Sequence, residues 1–131
     1  MPRKKSSRPT DGELEILRVL WQRGPSTVRQ VHRTLRATKH TTHNTTLKLM
    51  LIMHRKGLLT RDESDRPQVY AAAIPEEQMQ RHLMADFLQR VFGGSARKLV
   101  AAITTADIPA EELAEIRQLL EGLKQTKGKR P

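Results

Sequence analysis

Apolar residues recur three and four positions apart along most of this chain, with one short stretch of alternation between two helical halves. Leu14, Ile16, Leu17, Leu20 and Trp21 make the first stripe, the pattern of a helix that buries one face. Thr10 and Glu13 open it as a T-x-x-E capping box, in which each side chain satisfies an orphan N–H of the helix start. Gly24-Pro25 closes it. Val28, Val31 and Leu35 at i, i+3 and i+7 predict a second helix with Ser26 as its N-cap. A third begins near Thr41 or Thr42 and ends at Lys56, where Gly57 suits a left-handed cap. Two extended runs follow, "LLTRDE" and "QVYAAAI", and the polar turn Ser64-Asp65-Arg66-Pro67 between them predicts a hairpin.

Helical spacing resumes after Pro75. Met79, Leu83, Met84, Phe87, Leu88 and Val91 share one face of a fourth helix, which Gly93-Gly94 breaks. Ser95 caps a short fifth helix carrying Leu99, Val100 and Ile103. Pro109 begins a sixth, whose Leu113, Ile116, Leu120 and Leu123 form a seam. Three helices and a hairpin are the layout of a winged helix. The expected fold is mainly α with a small β hairpin: a winged-helix (helix-turn-helix) domain over 10–74 and a three-helix dimerisation domain over 75–125. A basic arm (1–9) expected to be disordered and a basic tail (126–131) expected to fray flank them. Three short helices alone have too little interior for two apolar seams, so Met79, Leu83, Phe87, Leu88, Val91, Leu113, Ile116, Leu120 and Leu123 are expected to meet a second copy of the chain.

Composition narrows the function. None of the 131 residues is cysteine, which removes disulfides and thiolate metal sites, and only 3% are aromatic. No apolar run approaches the roughly 18 residues of a membrane span, and "MPRKKSSRP" lacks the apolar stretch of a signal peptide, so a cytoplasmic protein is expected. Charge is unevenly placed. Residues 1–74 carry 15 Lys and Arg against 6 Asp and Glu, whereas residues 75–131 carry 9 against 8. From Ile16 to Arg61 there are ten basic residues and no acid. A soluble surface normally mixes both signs, so a one-sign field of this length points to a polyanionic partner.

The third helix, within "HTTHNTTLKLMLIMHRKGLL", suggests how that partner is read. With Thr46, Leu49, Met50 and Met53 toward the core, the opposite face carries Thr41, Asn44, Thr45, Lys48, Leu51 and Arg55. In a helix-turn-helix the second helix of the pair enters the DNA major groove by its N-terminal end. Asn pairs bidentately with adenine, and Thr offers a hydroxyl and a methyl, so Thr41, Thr42, His43, Asn44 and Thr45 are candidate base readers. Lys48 and Arg55 are candidate phosphate contacts, as are Arg61 and Arg66 on the hairpin. Asp62, Glu63 and Asp65 beside the hairpin arginines argue for a modest contact there, and a solvated turn is the alternative. Thr41 and Thr42 also serve as plain caps, and Leu51 is an apolar residue on a face drawn as exposed. The histidines lack converging carboxylates or thiolates, and no serine-histidine-acid set or phosphate-binding glycine loop is present, so neither a metal, a cofactor nor catalysis is expected.

"PTDGELEILRVLWQRGPSTVRQVHRTL", "TTLKLMLIMHRKGLLTRDESDRPQVYAA", "LMADFLQRVFGGSARKLVAAI" and "IPAEELAEIRQLLEGL" together resemble the penicillinase-repressor family, over about residues 9–124. The marks are Trp21 at the end of the first helix, Lys56-Gly57, and Phe92-Gly93-Gly94-Ser95. This family includes the methicillin-resistance and copper-responsive repressors of bacteria. The resemblance implies a homodimer, winged-helix binding of double-stranded DNA, and repression by occupying a palindromic operator. The family usually carries Thr-Val near the start of the third helix and a polar residue one turn before its end. Thr45-Thr46 and Ile52 stand there, so the operator sequence does not transfer. The β-lactam-responsive members are cleaved at an Asn-Phe bond in the C-terminal domain, but Asn44 is the only asparagine here, and the copper-responsive members use cysteines this chain lacks. Release is therefore expected through a protease or sensor partner acting elsewhere, near Thr104–Asp107. Two readings compete with a sequence-specific repressor: a basic protein-interaction module, and a nonspecific nucleic-acid binder.

Overall fold

The computed structural model describes residues 8–64 and 66–128. The helices are α1 (Asp11–Arg23), α2 (Val28–Arg36), α3 (His43–Lys56), α4 (Glu76–Phe92), α5 (Ala96–Ile103) and α6 (Ala110–Gly128), with strands β1 (Leu59–Asp62) and β2 (Val69–Ala72) between α3 and α4. The strands pair antiparallel, Leu59 against Ala72 and Asp62 against Val69. Three helices followed by this hairpin make a winged helix. The described residues divide into two compact units between Ala85 and Asp86.

The first unit is held by one aliphatic core. Ile16, Leu17, Val19 and Leu20 of α1, Val31 and Leu35 of α2, and Met50 and Met53 of α3 are buried together with Leu58, Leu59 and Tyr70. Leu14, Trp21, Val28 and Leu49 pack partly buried against it. The Trp21 indole donates to the Ile74 carbonyl at 3.0 Å, so its polar edge is satisfied while its body seals α1 against the end of the hairpin.

Local signals set most helix ends. Thr10 and Glu13 form the capping box, with Glu13 N–H on Thr10 Oγ1 at 3.2 Å and Thr10 N–H on Glu13 Oε1 at 3.0 Å. Gly57 ends α3 in the left-handed region, at φ 88° and ψ 9°, with its N–H on the Met53 and His54 carbonyls. The start of α2 departs from expectation. Its cap is Thr27, in a second capping box with Gln30, and Ser26 is instead part of a β-bridge. Ser26 N–H donates to the Tyr70 carbonyl at 2.9 Å and Tyr70 N–H to the Ser26 carbonyl at 2.8 Å, which adds a one-residue third strand to the hairpin.

Glu13 does more than cap. Its side chain is 3% exposed, and its two oxygens also accept from Lys56 Nζ at 2.8 and 3.0 Å. The first turn of α1 is thereby tied to the last turn of α3.

The chemical change at Pro75 marks the start of α4, yet the first unit runs on to Ala85. Met79 is 3% exposed and Leu83 packs partly buried against the same core. Met79, expected in a seam between subunits, is thus buried in its own chain. At the far end α6 reaches Gly128, beyond the expected start of fraying at 126, and Thr126 Oγ1 bonds the Gly122 carbonyl at 3.0 Å. The arm over 1–7 and residues 129–131 lie outside the described residues.

Removing Lys56 leaves a buried carboxylate without its cation, which costs about 3 kcal/mol. Lys56→Met is expected to lose that much stability in urea unfolding. Glu13→Gln/Lys56→Met should recover most of it, because Gln keeps the capping hydrogen bond and no buried charge remains. A double variant as unstable as Lys56→Met would show that packing by the lysine stem, not charge, is what the site requires.

Candidate nucleic-acid interface

The N-terminus of α3 is ordered by its own hydroxyls. Thr42 is the N-cap, accepting from Thr45 N–H at 3.1 Å and donating its hydroxyl to Thr45 Oγ1 at 3.0 Å. One acceptor site of Thr45 is thus occupied from within. Buried Thr46 donates to the Thr42 carbonyl at 3.3 Å and meets His32 Nδ1 at 3.3 Å, which fastens this turn to α2. The His32 ring stands edge-on to His43, centroids 5.7 Å apart. His32 is held below the usual histidine value, chiefly by desolvation and then by the charges of His43 and Arg36. It therefore stays neutral at neutral pH, and no extra cation is placed under the nose of the helix.

The outer face follows from this arrangement. Thr42, His43, Asn44, Thr45, Lys48 and Arg55 are exposed, and Thr41 is half-buried. Thr46, Met50 and Met53 point inward, so the division of α3 into two faces is the one its spacing implies. Leu51 is 37% exposed, a bare apolar side chain on the polar face. The Asn44 amide has no side-chain hydrogen bond to another described residue, and Lys48 and Arg55 have no acid within 4 Å among them.

The charges sort into two groups. Three cations of the acid-free stretch find acids just outside it: Lys39 on Glu15 at 2.6 Å, Lys56 on Glu13, and Arg61 on Glu63 at 2.7 Å. Arg18, Arg23, Arg29, Arg33, Arg36, Lys48 and Arg55 form no ion pair with the described residues. The two hairpin arginines differ in their surroundings. Arg61 is also held by the Tyr70 hydroxyl at 3.5 Å, and its guanidinium lies 5.9 Å from the centroid of that ring. Asp62 takes the Ser64 N–H at 3.0 Å and the Ser64 hydroxyl at 2.7 Å, which keeps its carboxyl below the usual range and ionised. Arg66 is exposed in the turn. Of the two hairpin arginines, Arg61 is therefore engaged within the hairpin.

Reasoning from the sequence counted Arg29, Arg33 and Arg36 in the charge field but not as a site. All three are exposed on α2. Their i, i+4, i+7 spacing was the available signal, since it places them within an arc of about 60°.

In the second unit, Phe87, Val91, Leu113, Leu120 and Leu123 are 42 to 56% exposed, and Leu88 and Ile116 half-buried. Val100, Ile103 and Leu119 add to its apolar surface, Leu119 at 71%, and Met84, on the first unit's part of α4, is 46% exposed. These four were not among the seam residues drawn from the sequence. Among the described residues no helix is long and apolar enough to cross a membrane.

The chain is similar to known regulators along nearly its whole length. The penicillinase repressor of Bacillus licheniformis is 28% identical over 125 residues, covering 95% of this chain and 98% of its own. The transcriptional regulator BlaI of Mycobacterium tuberculosis is 28% identical over 97% of this chain and 93% of its own. The solution structure of the DNA-binding domain of the repressor BlaI matches with a TM-score of 0.50 at 28% identity, covering 56% of this chain and 90% of that one. The family described as the penicillinase repressor matches residues 9–122, and the protein belongs to that family.

Proposed function

We propose that this chain is a DNA-binding transcriptional repressor that occupies a two-fold symmetric operator as a homodimer. The observation that carries the reading is the outer face of α3, where Asn44 and Thr45 stand exposed ahead of Lys48 and Arg55 in a field without acids. The similar protein of Mycobacterium tuberculosis is a transcriptional regulator, and the matching BlaI structure is that of a DNA-binding domain. Within the major groove, Asn44 would take the N6 and N7 edge of an adenine, and Thr45 would offer its hydroxyl and methyl. Leu51 would pack on a thymine methyl. Lys48 and Arg55 would meet phosphates and set the register.

The second unit supplies the other half of the reading. An apolar surface that includes Phe87, Val91, Leu113, Leu120 and Leu123 is too costly to leave in water, and a second copy of the same helices is the complementary surface a symmetric dimer requires. Two reading helices would then be held in one complex, each raising the effective concentration of the other. Opening the dimer would release the operator. The exposed connector Thr104–Asp107 between α5 and α6 is where a regulatory protease or sensor partner would act.

Asn44→Ala should cost about 1–3 kcal/mol on the duplex the wild-type chain prefers and little on random DNA, measured by fluorescence anisotropy. A loss in the same ratio on both would make Asn44 structural. Sedimentation tests the dimer separately. Phe87→Asp/Leu120→Asp should sediment as a monomer at micromolar concentration, with the helical content of the wild type. A wild-type chain that is itself monomeric there, yet binds its preferred duplex, would overturn the assembly.

A further inference from the structure

We infer that the arginine stripe of α2 (Arg29, Arg33 and Arg36) grips the DNA backbone beside the reading helix, the role a winged helix would otherwise give to its wing. The inference rests on the proposed DNA reading and specifies which surface supplies its sequence-independent affinity.

Three observations lead to it. The first is the stripe itself: three exposed arginines, one face, no ion pair with the described residues. Their positions cover about 10 Å of helix axis. One strand of DNA rises about 3.4 Å per phosphate, so roughly three phosphates lie along that length. Each side chain is Arg, whose planar fork matches a phosphate, and none is Lys.

The second is continuity with the reading face. His32 lies between the stripe and α3: the charge of Arg36 acts on it, and its ring meets His43 in the first turn of α3. The Thr46 hydroxyl fastens the same histidine to α3. A duplex seated on Asn44 and Thr45 would then have the arginines of α2 along its flank, on a rigid element rather than a loop.

The third is the wing. Arg61 is held by Glu63 and Tyr70, and the side chains of Asp62 and Glu63 stand beside the turn. Carboxylates repel phosphates, so a wing carrying them contributes little to backbone affinity. Only Arg66 remains there as an exposed arginine.

The test compares three variants of the 131-residue chain on a random-sequence duplex, where phosphate contacts supply essentially all the affinity. Arg29→Gln/Arg33→Gln/Arg36→Gln should lower the slope of log affinity against log salt by about one unit per contact in each half-site, on the order of five in total. Arg29→Lys/Arg33→Lys/Arg36→Lys keeps the charge and should restore most of that slope, which separates lost phosphate contacts from a folding defect. Arg61→Gln/Arg66→Gln should lower it by about two units at most. An unchanged slope in the α2 glutamine variant, or a larger loss in the wing variant, overturns the grip by α2 while leaving the DNA reading in place. Wild-type protein that binds no duplex at all overturns the DNA reading, and this inference with it.

Discussion

A carboxylate that is almost fully buried has to be paid for by its partners, and the placement of α3 depends on how Glu13 meets that demand. Taking a carboxylate out of water costs several kcal/mol unless hydrogen bonds and a counter-charge replace what it loses. Glu13 obtains an N–H from Thr10 and an ammonium from Lys56. The capping bond is local and fixes where α1 begins. The ammonium comes from 43 residues away and ties the end of α3 to the start of α1. With Thr46 fastened to His32 near its start, α3 is held at both ends by polar contacts as well as by Met50 and Met53 in the core. A helix that is to present short side chains such as Asn and Thr to base edges needs that rigidity, because such side chains have little reach.

The same pairing explains what the charge field offers a partner. Of the ten cations between Ile16 and Arg61, the three that have acids serve the fold. The other seven are spread over the helices and have no such duty among the described residues. Their counterions are mobile, and release of mobile counterions drives binding to a polyanion. The wing takes the opposite course: Arg61 is held by Glu63 and Tyr70 within the hairpin itself.

How much of this was legible beforehand depends on how far apart the determinants lie. The capping box at Thr10, the glycine ending α3 and the two faces of α3 rest on residues within a few positions, and the sequence displays them directly. Ser26 and Thr27 are equally good caps by type. Which of them caps α2 is decided by Tyr70, which draws Ser26 into the sheet. Periodicity likewise marked the apolar face of α4 but not what would cover it. Met79 and Leu83 found the core of their own unit, while Phe87 and Val91 remained exposed. The engagement of Arg61 was readable in principle, since residues two apart in an extended chain share a face and Glu63 is its i+2 neighbour. The Lys56 pairing was not, because nothing local distinguishes it from its unpaired neighbour Arg55.

Selection of bound sequences from a random duplex pool, with the purified full-length chain, tests the central claim most directly. If a braced α3 reads bases and two copies act together, the enriched pool will contain an inverted repeat. Its half-site centres will lie one helical turn of about 10 base pairs, or a multiple of it, apart. A pool that remains random after repeated rounds, or that converges on a single unrepeated site, would contradict it.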